Sequence, residues 1–240
     1  MIIKMLRVSL FLIICVFCSA KMNWNEYKSM FPQDFGLNAE HNFLENMKYI
    51  DKYNSSSFQL GVNQFMHLSS EEFSSRFFPL ISNRTLNYQY LNLSTPESKD
   101  WRADGCVTPV KNQGNCGSCW SFSTSGVMEG ANCVKTGSLI SLSEQQLVSC
   151  ANKLNKGCNG GNVDWTFRYL ENNEHCSESD YPYVSGDGSE PKCHECKGVV
   201  SLVKSFVDVP KGDEMQLMQA VLVGPVAIAI QADQKEFQLY

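Results

Sequence analysis

Nine cysteines follow Ala20 in this chain of 240 residues, and the residues ahead of them decide how they are read. Lys4 and Arg7 open the chain, Val8 to Phe17 is apolar, and Cys18-Ser19-Ala20 supplies small residues before a cut after Ala20. That is the layout of a secretory leader, residues 1–20. Its apolar run is shorter than the about 20 residues a bilayer-spanning helix needs, and no later segment could span, so no stable membrane anchor is expected. An exported chain meets an oxidising compartment, where cysteines pair. Those remaining are Cys106, Cys116, Cys119, Cys133, Cys150, Cys158, Cys176, Cys193 and Cys196. Nine is odd, so at least one sulfur stays a thiol or pairs outside the chain.

Three regions follow the leader. From Trp24 to about Phe78 the pattern is helical, with Phe43, Met47 and Ile50 at helical spacing and Leu44 and Lys48 on a neighbouring stripe. Gly61 to Phe65 alternates like a short strand, and Ser69-Ser70-Glu71-Glu72 starts a helix with acids in its first turn. Residues 81–98 are polar and irregular, a linker where proteolytic nicking is expected. Asn83-Arg84-Thr85 and Asn92-Leu93-Ser94 match the N-glycosylation pattern there, as Asn54-Ser55-Ser56 does earlier.

From Trp101 the chain is richer in glycine, cysteine and aromatic residues. Helices are expected from Cys119 to about Val134, from about Ser143 with Ser141 or Ser143 as cap, and over Asp164 to Leu170. Val221 to Ile230 is β-branched and broken by Gly224-Pro225, so Val226 to Ile230 reads as a buried strand. Apolar residues make up 43% and charged residues 19%, an ordinary globular mixture. The net charge of −5, with no long basic run, argues against a nucleic-acid partner.

The chemistry concentrates in Gln113-Gly114-Asn115-Cys116-Gly117-Ser118-Cys119-Trp120. A loop with two glycines runs into a helix whose first turn carries Cys119. Unsatisfied N–H groups and the helix dipole favour negative charge there, which predicts a thiol with a lowered pKa. A thiolate attacking a carbonyl also needs donors for the oxyanion, and the Cys119 N–H and the Gln113 amide are candidates.

This octapeptide resembles the nucleophile region of papain-like cysteine proteases, and the likeness extends along the chain. Asp100-Trp101-Arg102 and Val107 to Asn112 resemble the start of the mature enzyme. Leu142 to Cys150, Gly157-Cys158-Asn159-Gly160-Gly161, Tyr181-Pro182-Tyr183 and Gly224-Pro225-Val226 follow in family order. Upstream, Phe43, Asn46, Ile50 and Asn54 resemble the later half of the inhibitory prosegment's helical motif, and Gly61, Asn63 and Phe65 its second motif. The resemblance implies a cathepsin-L-like precursor: leader 1–20, inhibitory prosegment 21–80, activation linker 81–98 and peptidase domain 99–240. The implied fold is α+β with two lobes, a helical one bearing Cys119 and a β-barrel-like one begun by Val199 to Ile230 and unfinished. Cys119 is then the nucleophile and Gln113 the oxyanion donor. Cys116 pairs with Cys158, and Cys150 with Cys193 or Cys196. Gly160 and Gly161 present backbone to an extended peptide, with a tight turn as the simpler reading. Val163 and Ala229 line the pocket for the second residue before the scissile bond. Protein or peptide substrates and the chain's own prosegment are the implied partners, no cofactor or metal is implied, and the destination is lysosomal, vacuolar or extracellular.

Departures accompany the likeness. Phe35 and Ala39 stand where the prosegment motif has an acid and an arginine. His67 replaces an aspartate, either as a surface histidine or as a group titrating near neutral pH. The family's general-base histidine and the asparagine that orients it are expected beyond Tyr240, since His41, His67, His175 and His194 do not match that motif. The chain therefore reads as C-terminally truncated and nearly inert by itself. Rival readings are a silent papain relative serving as a binding or protease-inhibitor module, a zinc site from Cys116-x-x-Cys119 and Cys193-His194-Glu195-Cys196, and a thioredoxin-like redox pair. The long gap between the CxxC pairs and the oxidising compartment weigh against zinc.

Overall fold

The computed structural model describes residues 22–53, 57–77, 90–200 and 202–240. The leader, Asn54 and Asn83 lie outside them. The prosegment begins with helix α1, Trp24–Met30, closed at its start by a capping box in which Asn23 and Glu26 satisfy each other's backbone N–H groups. Helix α2, Ala39–Lys52, turns Phe43 and Asn46 inward. Helix α3, Ser70–Phe77, starts on a second reciprocal cap, Ser69 with Glu72.

Around Phe35, one of the departures from the family motif, the prosegment packs aromatic rings. Phe35 meets Trp24 edge-on at 4.9 Å between centroids, and Tyr27 lies 4.9 Å from Phe43. His67 is buried inside this group rather than on the surface. Its Nδ1 lies 3.1 Å from the Tyr27 hydroxyl and 3.2 Å from the Gln33 amide, and its ring stands edge-on to Phe35.

Residues 61–65 are not a strand. They run extended and then turn at Gln64, because their partner is a chain end rather than a sheet. The Gly61 N–H donates to the Leu239 carbonyl at 2.8 Å, and the Asn63 amide donates to the Gln238 carbonyl at 2.7 Å. Gln238 answers by donating to the carbonyls of Phe65 and Leu68. Leu239, fully buried, packs in one apolar cluster with Tyr27, Phe43 and Met66.

The peptidase part is built on helix α4, Cys119–Thr136, ended by Gly137 in the left-handed region at φ 73°. Helix α5, Glu144–Cys150, is capped by the Ser143 hydroxyl, and helix α6, Val163–Leu170, by the Asn162 side chain. Both pack on α4 over a core of Trp120, Met128, Leu142, Leu147, Val148 and Leu170. Strands β1, His175–Cys176, and β2, Gly198–Val200, form an antiparallel pair. Four disulfides join Cys106 to Cys133, Cys116 to Cys158, Cys150 to Cys193 and Cys176 to Cys196.

The α+β class holds, with a helix-rich part and the small β1–β2 sheet, but of the β-rich segment expected from Val199 to Ile230 only its start, in β2, is a strand among the described residues. That stretch holds β2, helix α7 (Glu214–Val223) and irregular chain. Val226 to Ile230 is not a strand, and Ile228 and Ile230 are 66% and 54% exposed. A β-branched run forms a strand only beside a partner that satisfies its backbone, and none of the described residues pairs with it. Pro225 nevertheless anchors the segment to α4, where a Cβ at Gly130 would fall 2.4 Å from its ring. Helix α8, Lys235–Gln238, closes the chain.

One buried ion cluster ties the peptidase part together. Lys111 Nζ lies 2.7 Å from carboxylate oxygens of both Glu129 on α4 and Glu144 on α5, and 3.3 Å from the Leu142 carbonyl. Glu129 also accepts from the Thr108 hydroxyl and the Leu142 N–H. One ammonium faces two buried carboxylates, and burial pushes the Glu144 carboxyl up from 4.5 to about 7 despite Lys111. The folded chain thus holds a proton that the unfolded chain releases between those values. This contribution to stability is full below 4.5 and lost as pH rises through about 7. Urea unfolding should accordingly show a higher midpoint near pH ~5 than near pH ~8, and Glu144→Gln should flatten that slope. Separately, Leu239→Ala should cost about 2–5 kcal/mol of prosegment packing. Hydrogen exchange checks this, with faster exchange expected at the Gly61 amide and no change in α4.

Candidate active site

Cys119 is the first residue of α4, directly after Ser118 as N-cap, and it is partly buried. It is the one cysteine of the nine outside the four disulfides. The loop that carries it is fixed from several sides. Gly114 has φ 63° and lies so close to the backbone of Gly186 that a Cβ would fall 2.3 Å from its carbonyl oxygen. The Asn115 N–H donates to that same oxygen at 2.8 Å. The Cys116–Cys158 bridge and the Gly117 N–H to Cys158 carbonyl bond tie the loop to the glycine-rich segment. Trp120 is buried and donates its indole N–H to the Gly157 carbonyl at 3.1 Å.

Gln113 is brought back over this loop. Its amide nitrogen donates to the Cys116 carbonyl at 2.7 Å, so one of its two N–H groups is occupied and the amide is oriented by that bond. The second N–H takes no part in that bond. Tyr183, which sequence reasoning met only as part of Tyr181-Pro182-Tyr183, is a further organiser. Its hydroxyl donates to the Gln113 carbonyl at 2.8 Å and lies 2.8 Å from the Ser118 hydroxyl, while its ring meets Phe122 edge-on. The motif is visible in sequence, but only the fold shows which hydroxyl reaches the loop.

The substrate-facing candidates divide. Gly160 has φ 104°, and its carbonyl accepts from the Lys156 N–H at 2.8 Å. Gly161 lies against Trp120, where a Cβ would fall 2.6 Å from the indole and 2.6 Å from the Asn155 side chain. Both glycines therefore have a local backbone or packing reason in addition to any role toward a ligand. Val163 is the first residue of α6 and partly buried. Ala229 is exposed on the irregular segment after Pro225. The prosegment touches the loop ahead of Cys119, with the Asn112 amide donating to the Gln64 side chain at 3.3 Å.

The electrostatics run opposite to the expectation of a lowered thiol pKa. Burial pushes the Cys119 thiol up, the N–H groups of Trp120 and of Cys119 itself pull it down, and burial prevails. His175 is fully buried and 3.0 Å from the Ser143 carbonyl, with its pKa driven down to about 4 by burial. His194 stacks on Tyr181 at 3.8 Å, His67 sits in the prosegment core, and His41 is exposed on α2. Among the described residues no group of three or more His, Cys, Asp or Glu is arranged to hold a metal. Three of the four cysteines of the zinc reading are in disulfides, and Cys116 pairs with Cys158 rather than with Cys119.

Comparison with known proteins places this geometry. Residues 95–240 match the papain family of cysteine proteases, and residues 37–73 match the cathepsin propeptide inhibitor domain (I29). The chain belongs to the papain family, with the family's inhibitory propeptide domain ahead of the peptidase domain. A cathepsin L-like peptidase of Aedes aegypti is 38% identical over 92% of this chain and 72% of its own length. The oryzain beta chain of Oryza sativa subsp. japonica is 42% identical over 87% of this chain and 48% of its own. The chain thus spans about half the length of such plant relatives. Among solved structures, a recombinant stem bromelain precursor superposes with a TM-score of 0.78 at 30% identity, covering 90% of this chain and 73% of that one. Digestive procathepsin L 3 of Tenebrio molitor larval midgut gives 0.72 at 32% identity, covering 82% and 68%.

A thiol whose protonated form is favoured should be slow to alkylate at neutral pH. Denatured without reduction, the chain freed of residues 1–20, and so of Cys15 and Cys18, should release one equivalent from a disulfide-exchange reagent, all from Cys119. Native alkylation should climb only as pH passes the ordinary thiol value of 9.0. Rapid labelling at neutral pH, flat across the range, would mean an anionic sulfur instead.

Proposed function

We propose that the parent of this chain is a secreted-route cysteine endopeptidase made as a zymogen, with Cys119 as nucleophile and proteins or peptides as substrates. The observation that carries this reading is a single thiol at the first position of α4, on a loop held by a disulfide, a glycine–glycine contact and Tyr183. In the reaction the Cys119 sulfur adds to the peptide carbonyl carbon. The oxyanion meets the Cys119 N–H and the second N–H of Gln113. The amine leaves with a proton, a thioester remains, and water cleaves it to regenerate the thiol.

The proton must be taken by a base that makes the thiol anionic. His67, His175 and His194 are engaged elsewhere and His41 is exposed on α2, so none of the four is assigned as that base. Residues 21–80 act as the intramolecular inhibitor, supported by the contact of Gln64 with Asn112 beside the catalytic loop. A cut at about residues 88–98 releases them. Val163 and Ala229 line the pocket for the residue two before the scissile bond, and Gly161 offers its backbone to the peptide. The location is the secretory pathway, ending in a lysosome or vacuole or outside the cell.

In the parent enzyme, Cys119→Ser should abolish peptide hydrolysis, and Gln113→Ala should lower kcat by about 10²- to 10³-fold with little change in KM. Steady-state assay on a fluorogenic peptide reads both. Undiminished turnover by Cys119→Ser would overturn the assignment.

A further inference from the structure

The segment just ahead of the peptidase domain is held in place. Gln216 on α7 makes a pair of bonds with Leu91: the Leu91 N–H donates to Gln216 Oε1 at 2.8 Å, and Gln216 Nε2 donates to the Leu91 carbonyl at 3.0 Å. One turn later on α7, Gln219 Oε1 accepts from the Leu93 N–H at 3.3 Å and from Gln216 Nε2 at 3.4 Å. Two glutamines thus clamp residues 91 and 93 by their backbone, as an edge strand would. Asn92, between them, is exposed. Its carboxamide and the hydroxyl of Ser94 take no part in the clamp, and no hydrogen bond within the described residues engages either side chain. Ser94 is exposed as well, and so are residues 96–98. Further on, the Trp101 indole N–H donates to the Val221 carbonyl at 2.7 Å.

We propose that Asn92 is an N-glycosylation site whose glycan stands on the exposed edge of the clamped segment. Asn92-Leu93-Ser94 supplies the acceptor amide and the hydroxyl two residues on. The donor is a lipid-linked oligosaccharide diphosphate of the secretory pathway. The Asn92 Nδ2 forms a bond to C1 of the first sugar, and the bond from C1 to the diphosphate oxygen breaks. Its electron pair leaves with the lipid diphosphate, and the amide gives up one proton. Transfer precedes folding, so the folded chain has only to accommodate the product. It does so because the clamp uses only the main chain at 91 and 93 and leaves the Asn92 side chain in solvent. A cut within 94–98 would shed the glycan with the prosegment. That fate rests on the zymogen reading, whereas occupancy of Asn92 rests on export alone.

The full chain, translated with rough microsomes, should yield a protease-protected product. Glycosidase treatment in ¹⁸O-water should convert Asn92 to a labelled aspartate, read by peptide mass spectrometry. Asn92→Gln and Ser94→Ala should each remove one glycan step on a gel, with the rest of the pattern unchanged. A second arm replaces residues 1–20 with a proven cleavable leader, so that failure of the native leader is separated from failure of the site. An unmodified Asn92 peptide as the main translocated species in that arm would overturn the proposal.

Discussion

One ammonium group holds the peptidase part in register. Lys111 reaches from the loop ahead of the catalytic octapeptide to Glu129 in the middle of α4 and to Glu144 at the start of α5. Both acids are almost wholly buried, at 2% and 1% exposure, where an uncompensated charge costs several kcal/mol. The charges do not balance, and Glu144 absorbs the excess by favouring its proton. The direction of α4, and with it the place of Cys119 at its tip, depends on this cluster as much as on the apolar core.

The parts of the fold legible in sequence are those governed by local chemistry. Ser143, one of the two caps read for α5, announces that helix because a short polar side chain at that point satisfies its first free N–H groups, whereas the Asn162 cap of α6 is seen only in the fold. The catalytic octapeptide is legible for a similar reason, since its glycines and its helix start lie within eight residues. What failed depends on partners distant in sequence. Val226 to Ile230 carries a strand's composition, but pattern alone cannot supply a neighbouring strand. Val221 to Val223, read with that run, instead ends α7, capped at its start by Asp213. The pairings of Cys106 with Cys133 and Cys176 with Cys196 follow from proximity in the fold, which spacing does not encode. The thiol was misjudged because helix start and burial compete, and only coordinates reveal how deep the sulfur lies.

The prosegment is not a separate bead on the chain. Its core is completed by Leu239, about 170 residues from Met66 and Leu68, and Glu236 meets Tyr49 from the same end. Gly61 and Asn63, recognisable as motif residues, are there to receive the backbone of Gln238 and Leu239. Asn63 contributes a carboxamide donor, whereas Gly61 contributes only its main-chain N–H, since a Cβ there would meet open space. Around His67 the interior is filled by the rings of Tyr27 and Phe35.

The elevated thiol has a bearing on how such a chain survives its own maturation. Eight sulfurs must find four correct partners while a ninth is present, and thiolate is the species that attacks existing bridges. A sulfur tucked at the tip of α4 and kept in its neutral form is a poor shuffler. Restraint toward neighbouring disulfides is then a consequence of how deeply the sulfur lies at the start of its helix.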